Sequence, residues 1–87
     1  MAYEIHFDRK VTRRDIPSVP SASIDQVMRA IHERLTVDPI GFGKPLVGEF
    51  KGLYRLRIGD WRVIYKVEGR NVVIRSIKLR RDSYRRQ

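Results

Sequence analysis

Leu53-Tyr54-Arg55-Leu56-Arg57-Ile58-Gly59-Asp60-Trp61-Arg62-Val63-Ile64-Tyr65-Lys66-Val67 holds two alternating runs, rich in β-branched and aromatic residues, on either side of Gly59-Asp60. Such a pattern predicts an antiparallel hairpin closed by a two-residue turn, because glycine supplies the positive φ that these turns need. With Gly59 and Asp60 as the turn, Ile58 lies opposite Trp61, Arg57 opposite Arg62, Leu56 opposite Val63, Arg55 opposite Ile64 and Tyr54 opposite Tyr65. Side chains alternate between faces along a strand. Tyr54, Leu56, Ile58, Trp61, Val63 and Tyr65 therefore share an apolar face, and Arg55, Arg57, Arg62 and Lys66 share the other.

Arginine directly opposite arginine costs a few tenths to about 1 kcal/mol, so stability alone does not account for Arg57 facing Arg62. A bound polyanion would convert that repulsion into attraction. The competing reading is a solvated face, with aliphatic stems spread on the sheet and charged heads in water.

The remaining elements assemble around this hairpin. Tyr3, Ile5 and Phe7 alternate with Glu4 and His6, the period of a half-buried strand that leaves His6 outward. Asp8 is an N-cap for a short helix from about Arg9 to Asp15, which Pro17 is expected to end. Ser23-Ile24-Asp25-Gln26 matches a capping box. Ile24, Val27, Met28, Ile31 and Leu35 follow at helical spacing, and Asp38-Pro39 stops that helix. His32 falls at the edge of the stripe.

Residues 38–50, with Gly41, Gly43, Pro45 and Gly48, read as a loop. Glu68-Gly69-Arg70 reads as a second turn and residues 71–77 as a further strand, with Val72 and Ile74 on the core face and Val73, Arg75 and Ile77 on the basic face. The expected architecture is one α+β domain over residues 1–87. Two helices from the N-terminal half pack on one face of a mostly antiparallel four-stranded sheet in the order β-α-α-β-β-β.

Composition narrows the function. The chain has 87 residues, no cysteine, two histidines and a formal charge of +9. A disulfide framework or thiolate zinc site is excluded, and the residues provide no basis for a metal centre or other cofactor. No apolar stretch nears the roughly 20 residues that span a bilayer, and the N-terminus lacks the plan of a signal peptide. A cytoplasmic protein without membrane contact is expected.

Residues 1–50 balance seven basic against seven acidic groups, so the whole excess lies in residues 51–87, where only Asp60, Glu68 and Asp82 oppose twelve cations. That one-sided charge is the footprint of a nucleic-acid binder or of a protein matched to an acidic partner.

Lys44-Pro45-Leu46-Val47-Gly48, the block from Lys51 to Tyr65, and Arg80-Arg81-Asp82-Ser83-Tyr84-Arg85 resemble the RelE/ParE superfamily of bacterial and archaeal toxins. The strand, two-helix, three-strand order resembles it too. The resemblance implies a type II toxin held inactive, in a toxin–antitoxin heterocomplex, by a cognate antitoxin encoded beside it. For RelE-type members it implies entry into the A site of a 70S-type ribosome and cleavage of the translated mRNA there without a metal.

The basic positions used by such enzymes match Arg55 and Arg57, then Arg62, then Arg80 and Tyr84. The expected catalytic set is accordingly Arg62, Arg80 and Tyr84, with Arg55, Arg57, Arg75, Lys66, Lys78 and Arg81 as RNA contacts. Many relatives carry a histidine where this chain has Leu79.

RNA supplies its own 2′-OH nucleophile. The protein's tasks are to align it, stabilise charge on phosphorus and move protons. Guanidinium groups suit the phosphate, and a tyrosine can transfer a proton or stack on a base. Two alternatives share the hairpin: a ParE-type poison of DNA gyrase, and a non-enzymatic RNA- or ribosome-binding domain. Trp61, Tyr54 and Tyr65 are expected to be packing groups.

Overall fold

The computed structural model describes residues 2–80. The hairpin forms as its alternation requires. β3 (Tyr54–Ile58) and β4 (Trp61–Glu68) pair antiparallel in the expected register, from Tyr54 opposite Tyr65 to Ile58 opposite Trp61. Gly59 has φ 59°, and no residue other than glycine has positive φ. Positive φ at the first central position alone is the II′ pattern, whose twist suits a two-residue hairpin.

Gly69-Arg70 makes a second two-residue turn, with Gly69 at φ 60°, and β5 (Asn71–Leu79) returns along β4. β1 (Glu4–Phe7) lies parallel to β5 at the other edge. A strand not anticipated from the sequence, β2 (Lys44–Pro45), borders β3, so the sheet has five strands in the order β1-β5-β4-β3-β2. Two residues are too few for an alternation to register.

A β-bulge separates the two halves of the β4–β5 ladder. Ile64 pairs with Ser76 but Tyr65 pairs with Ile74, which leaves Arg75 as the extra residue. The bulge re-phases the strand. Ile77, expected on the basic face by simple alternation, lies opposite Val63 and is buried in the core. Arg75 keeps its expected side, since its neighbour Ile74 is fully buried in the core.

The helices also depart from their expected limits. α1 occupies residues 9–18, and Asp8 caps it through its carboxylate, which accepts from the Lys10 N–H at 3.2 Å. Pro17 does not end it. The turn Val11–Asp15 has π spacing, with the Ile16 N–H reaching Val11 O, and Ile16–Ser18 continues the helix through the proline. The Ser18 hydroxyl donates to the Arg14 carbonyl at 2.6 Å, satisfying an acceptor of the last turn. Val19, extended and followed by Pro20, is the true stop.

α2 spans residues 21–35, with Ser21–Ala30 passing into the π-spaced turn Ile31–Leu35. It begins on Pro20, whose carbonyl accepts from the Ser23 and Ile24 N–H groups, so the Ser23–Gln26 capping box does not form.

The stripe lands where its spacing puts it. Val27, Ile31 and Leu35 are fully buried against Leu56, Val63, Tyr65, Val72 and Ile74, with Ile24 and Met28 at the margin. Each large aliphatic contributes roughly 1.5–3 kcal/mol by leaving water. Residues 38–50, expected as loop, contain the short helix α3 (Pro39–Phe42), capped by Asp38 through the Gly41 N–H, and a 3-10 turn at Gly48–Phe50.

Tyr65 ties this segment to the sheet. Its hydroxyl donates to the Pro39 carbonyl at 2.5 Å, and its ring stacks on Tyr54 at 5.7 Å. Burial pushes the Tyr65 pKa well above its ordinary value, with smaller contributions from Tyr54 and Asp38. Gly43 is required here, because a Cβ on it would collide with the Tyr65 hydroxyl.

Candidate nucleic-acid interface

Helices cover one face of the sheet, and the other face presents the cations. Register places Arg57, Arg62 and Lys78 directly opposite one another on three adjacent strands. Neighbouring strands lie about 4.8 Å apart, so three positive side chains rise from one short row. Two residues along, roughly 6.6 Å away, a second row joins Lys44 of β2 to Arg55 of β3. Just beyond β5, the Arg80 N–H donates to the Asp60 carbonyl at 2.8 Å, which fixes the Arg80 backbone beside the hairpin turn.

Lys44 was missed by sequence reasoning. Its signal is the length of the connection: a basic residue ten positions before the hairpin strand is brought back beside Arg55 only through the two-residue strand. Arg81 and Tyr84, the other expected site residues, lie outside the described residues.

Counter-charges divide this face unequally. On β5, Arg75 Nε stands 3.4 Å from Asp8 Oδ2, and Lys78 Nζ stands 3.2 Å from Asp15 Oδ1. Both acids come from the N-terminal side: Asp8 ends β1 and caps α1, and Asp15 lies within α1. Asp15 is itself buried, and its other oxygen accepts from the Ile77 N–H at 2.8 Å. β1 pairs with β5 only through Ile74. Beyond that point Asp15 satisfies an edge donor that would otherwise be orphaned.

Lys66 on β4 meets Glu68 at 2.9 Å. Among the described residues, the salt bridges of the face end there: Lys44, Arg55 and Arg57 have no acidic group within 4 Å. The expected RNA contacts therefore fall into two sets. Arg75, Lys66 and Lys78 carry local counter-ions, and Arg55 and Arg57 do not.

Arg62 differs from its expected environment. It lies on the basic face but is only 9% exposed. A central strand explains this: long side chains directly opposite on both neighbours, Arg57 and Lys78, flank it and close over it. Its charge is thus held in a setting of lower dielectric than an open surface, where attraction to an anion is stronger.

His6 stays apart, on β1 with its Nε2 3.0 Å from Asn71 Oδ1 and 3.3 Å from Glu4 Oε1. Among the described residues no group of three His, Asp or Glu side chains is placed to hold a metal ion. None of the helices is long and apolar enough to cross a membrane. What the face offers is a cluster of guanidinium and ammonium groups with alternating strand and row spacing, suited to successive phosphates.

Comparison with known proteins agrees with this geometry. A family profile described as "ParE toxin of type II toxin-antitoxin system, parDE" matches residues 6–84. The protein named Toxin RelG of Mycobacterium tuberculosis is 32% identical over 88 aligned positions, covering 99% of this chain and 100% of that protein. Toxin RelE of the same organism is 32% identical over 74 positions, covering 83% of this chain and 76% of its own. The toxin–antitoxin complex RelBE2 of M. tuberculosis contains a chain that superposes with a TM-score of 0.81 at 26% identity, over 91% of this chain and 99% of that one. The intact RelBE complex of E. coli shares the fold, with a TM-score of 0.72 at 20% identity over 90% and 96% of the two chains.

Proposed function

This chain belongs to the ParE toxin family, within the RelE/ParE toxins of type II toxin–antitoxin systems, and we propose that it is a ribosome-dependent endoribonuclease of RelE type that cleaves translated mRNA in the A site. The observation that carries this reading is the row of Arg57 and Arg62 with Arg55 and Lys44 beside it, basic side chains gathered on one face with no acid against Arg55, Arg57 or Lys44. Likeness to Toxin RelG and Toxin RelE supports it.

In this mechanism the RNA backbone lies over the face. Arg62, held nearly buried, and Arg80, anchored beside the turn, take the non-bridging oxygens of the scissile phosphate as the 2′-OH attacks phosphorus. Preorganised positive charge of this kind is commonly the largest catalytic term, worth about 10²–10³-fold per donor. Arg55 and Arg57 hold the flanking phosphates. Tyr84 moves a proton at the 2′-OH or the departing 5′ oxygen, and surrounding cations favour its ionised form. The ribosome supplies the alignment of the 2′-OH.

A second reading, a ParE-type poison of DNA gyrase, is favoured by the family profile that matches. Primer extension on a defined mRNA separates the two. Purified protein is incubated with the mRNA in a cell-free translation reaction and, separately, without ribosomes. Cuts within codons seen only with ribosomes are expected. Intact mRNA in both reactions, with inhibited supercoiling in a parallel gyrase assay, would overturn the nuclease reading.

A further inference from the structure

The apolar side of the sheet is not fully covered. Past the end of α2, a groove with a volume of about 760 Å³ opens over Tyr3, Tyr54 and Val67, walled by Ile40 and by the loop from Leu46 to Leu53. The loop is built as a wall: the Leu46 N–H donates to the Leu53 carbonyl at 2.9 Å, and the Phe50 N–H to Val47 O at 3.3 Å.

Among the described residues, the five large apolar side chains that are most exposed, Val37, Ile40, Phe42, Val47 and Phe50, all fall in this one segment, with Val47 81% exposed. Apolar exposure confined to fourteen consecutive residues marks an interaction surface rather than ordinary scatter.

We propose that this groove receives an amphipathic helix of the cognate antitoxin, with apolar anchors seated between Ile40 and Val47 and an acidic flank against Lys51. Three observations select that occupant. Lys51 lines the groove, and a chain of net charge +9 draws an acidic partner. The sheet edge nearest the groove is β2, whose Pro45 has no N–H to donate, so strand addition there is disfavoured and a helix in the groove fits better. The toxin folds it resembles occur in solved toxin–antitoxin complexes.

The groove lies on the helix side of the sheet, away from Arg55, Arg57 and Arg62. A helix seated there leaves the basic face uncovered, so the antitoxin's grip and its block of the arginines are separate contacts. The proposal rests on family membership and is independent of the nuclease reading.

The test titrates the purified chain with the protein encoded beside it and reads affinity by calorimetry. Ile40→Asp/Val47→Asp, both at exposed positions, is expected to raise Kd about 30-fold or more, the effect of losing a central anchor. Lys51→Glu is expected to raise it about tenfold, and Arg55→Ala/Arg57→Ala to change it less than about threefold. Thermal melts confirm that each variant is folded. Unchanged affinity in Ile40→Asp/Val47→Asp, tighter binding by Lys51→Glu, or no complex with the unaltered chain would overturn the proposal. Binding is read directly, so a failure to cut mRNA, which bears on the nuclease reading, leaves these outcomes intact.

Discussion

The two halves of the basic face have the same kind of side chains and opposite electrostatic circumstances. On β5, Arg75 and Lys78 each rest against an aspartate from the N-terminal segment, Asp8 and Asp15. On β2 and β3, Lys44, Arg55 and Arg57 stand in rows with other cations and no acid nearby. A cation that already has a counter-ion gains little from a phosphate, because the old pair must be broken. One that faces only like charge gains the full attraction and sheds a repulsion. The β5 half is thus organised to hold α1 against the sheet edge, and the β2–β3 half to hold a polyanion.

Arg62, on the strand between the halves, should show the largest effect. Arg62→Ala is expected to lower mRNA cleavage by about 10²–10³-fold and, because the side chain is nearly buried, to cost about 1–3 kcal/mol in denaturant unfolding. Cleavage lost with stability untouched would mean that the side chain is less enclosed than described. The next effect belongs to the β5 half. Lys78→Ala strips the buried Asp15 carboxylate of its cation, and about 1–3 kcal/mol of stability should go while cleavage stays within about tenfold. Arg57→Ala, at an exposed position, should behave in the opposite way, with stability within about 0.5 kcal/mol of the original.

Salt dependence sharpens the contrast further. Each phosphate contact on a single strand contributes about 0.7 to the slope of log K against log salt. Lys44→Ala and Arg55→Ala should each reduce the slope of RNA binding by about that amount, and Arg75→Ala should leave it unchanged. The smallest effect lies on the apolar side of β4, where only stability should respond. Folded Tyr65 holds its proton to higher pH than the unfolded chain, whose ordinary value is 10.0. Its contribution is complete below that value and falls as the pH climbs above it, since unfolding then releases the proton. Tyr65→Phe should flatten this alkaline loss in pH-dependent melts.

The hairpin was legible because its alternation, its glycine and its length all pointed to one register, and the α2 stripe because Val27, Ile31 and Leu35 share a helical face. Pro17 and the Ser23–Gln26 box misled for a common reason: both are local signals, and the π-spaced turn of α1 and the early start of α2 on Pro20 arise from how the helices meet the sheet. The bulge that turns Ile77 inward is likewise a property of the β4–β5 pair, which one strand's alternation does not contain.

At the site, which arginines share a face followed from the register, but which of them carry counter-ions did not. Asp8 and Asp15 lie more than sixty positions before Arg75 and Lys78, and only the parallel return of β1 beside β5 brings them together. The helical order and the charge map of residues 51–87 were therefore readable early, and the division within the basic face was not.

The most direct test sets two double variants side by side in a cell-free translation reaction and scores cuts by primer extension. Arg55→Ala/Arg57→Ala should lose ribosome-dependent cleavage, and Arg75→Ala/Lys78→Ala, assayed below its lowered melting temperature, should retain it within about tenfold, the bound expected for Lys78→Ala alone. Equal loss in both, or cleavage kept by the first and lost by the second, would contradict the assignment of the RNA to the β2–β3 half.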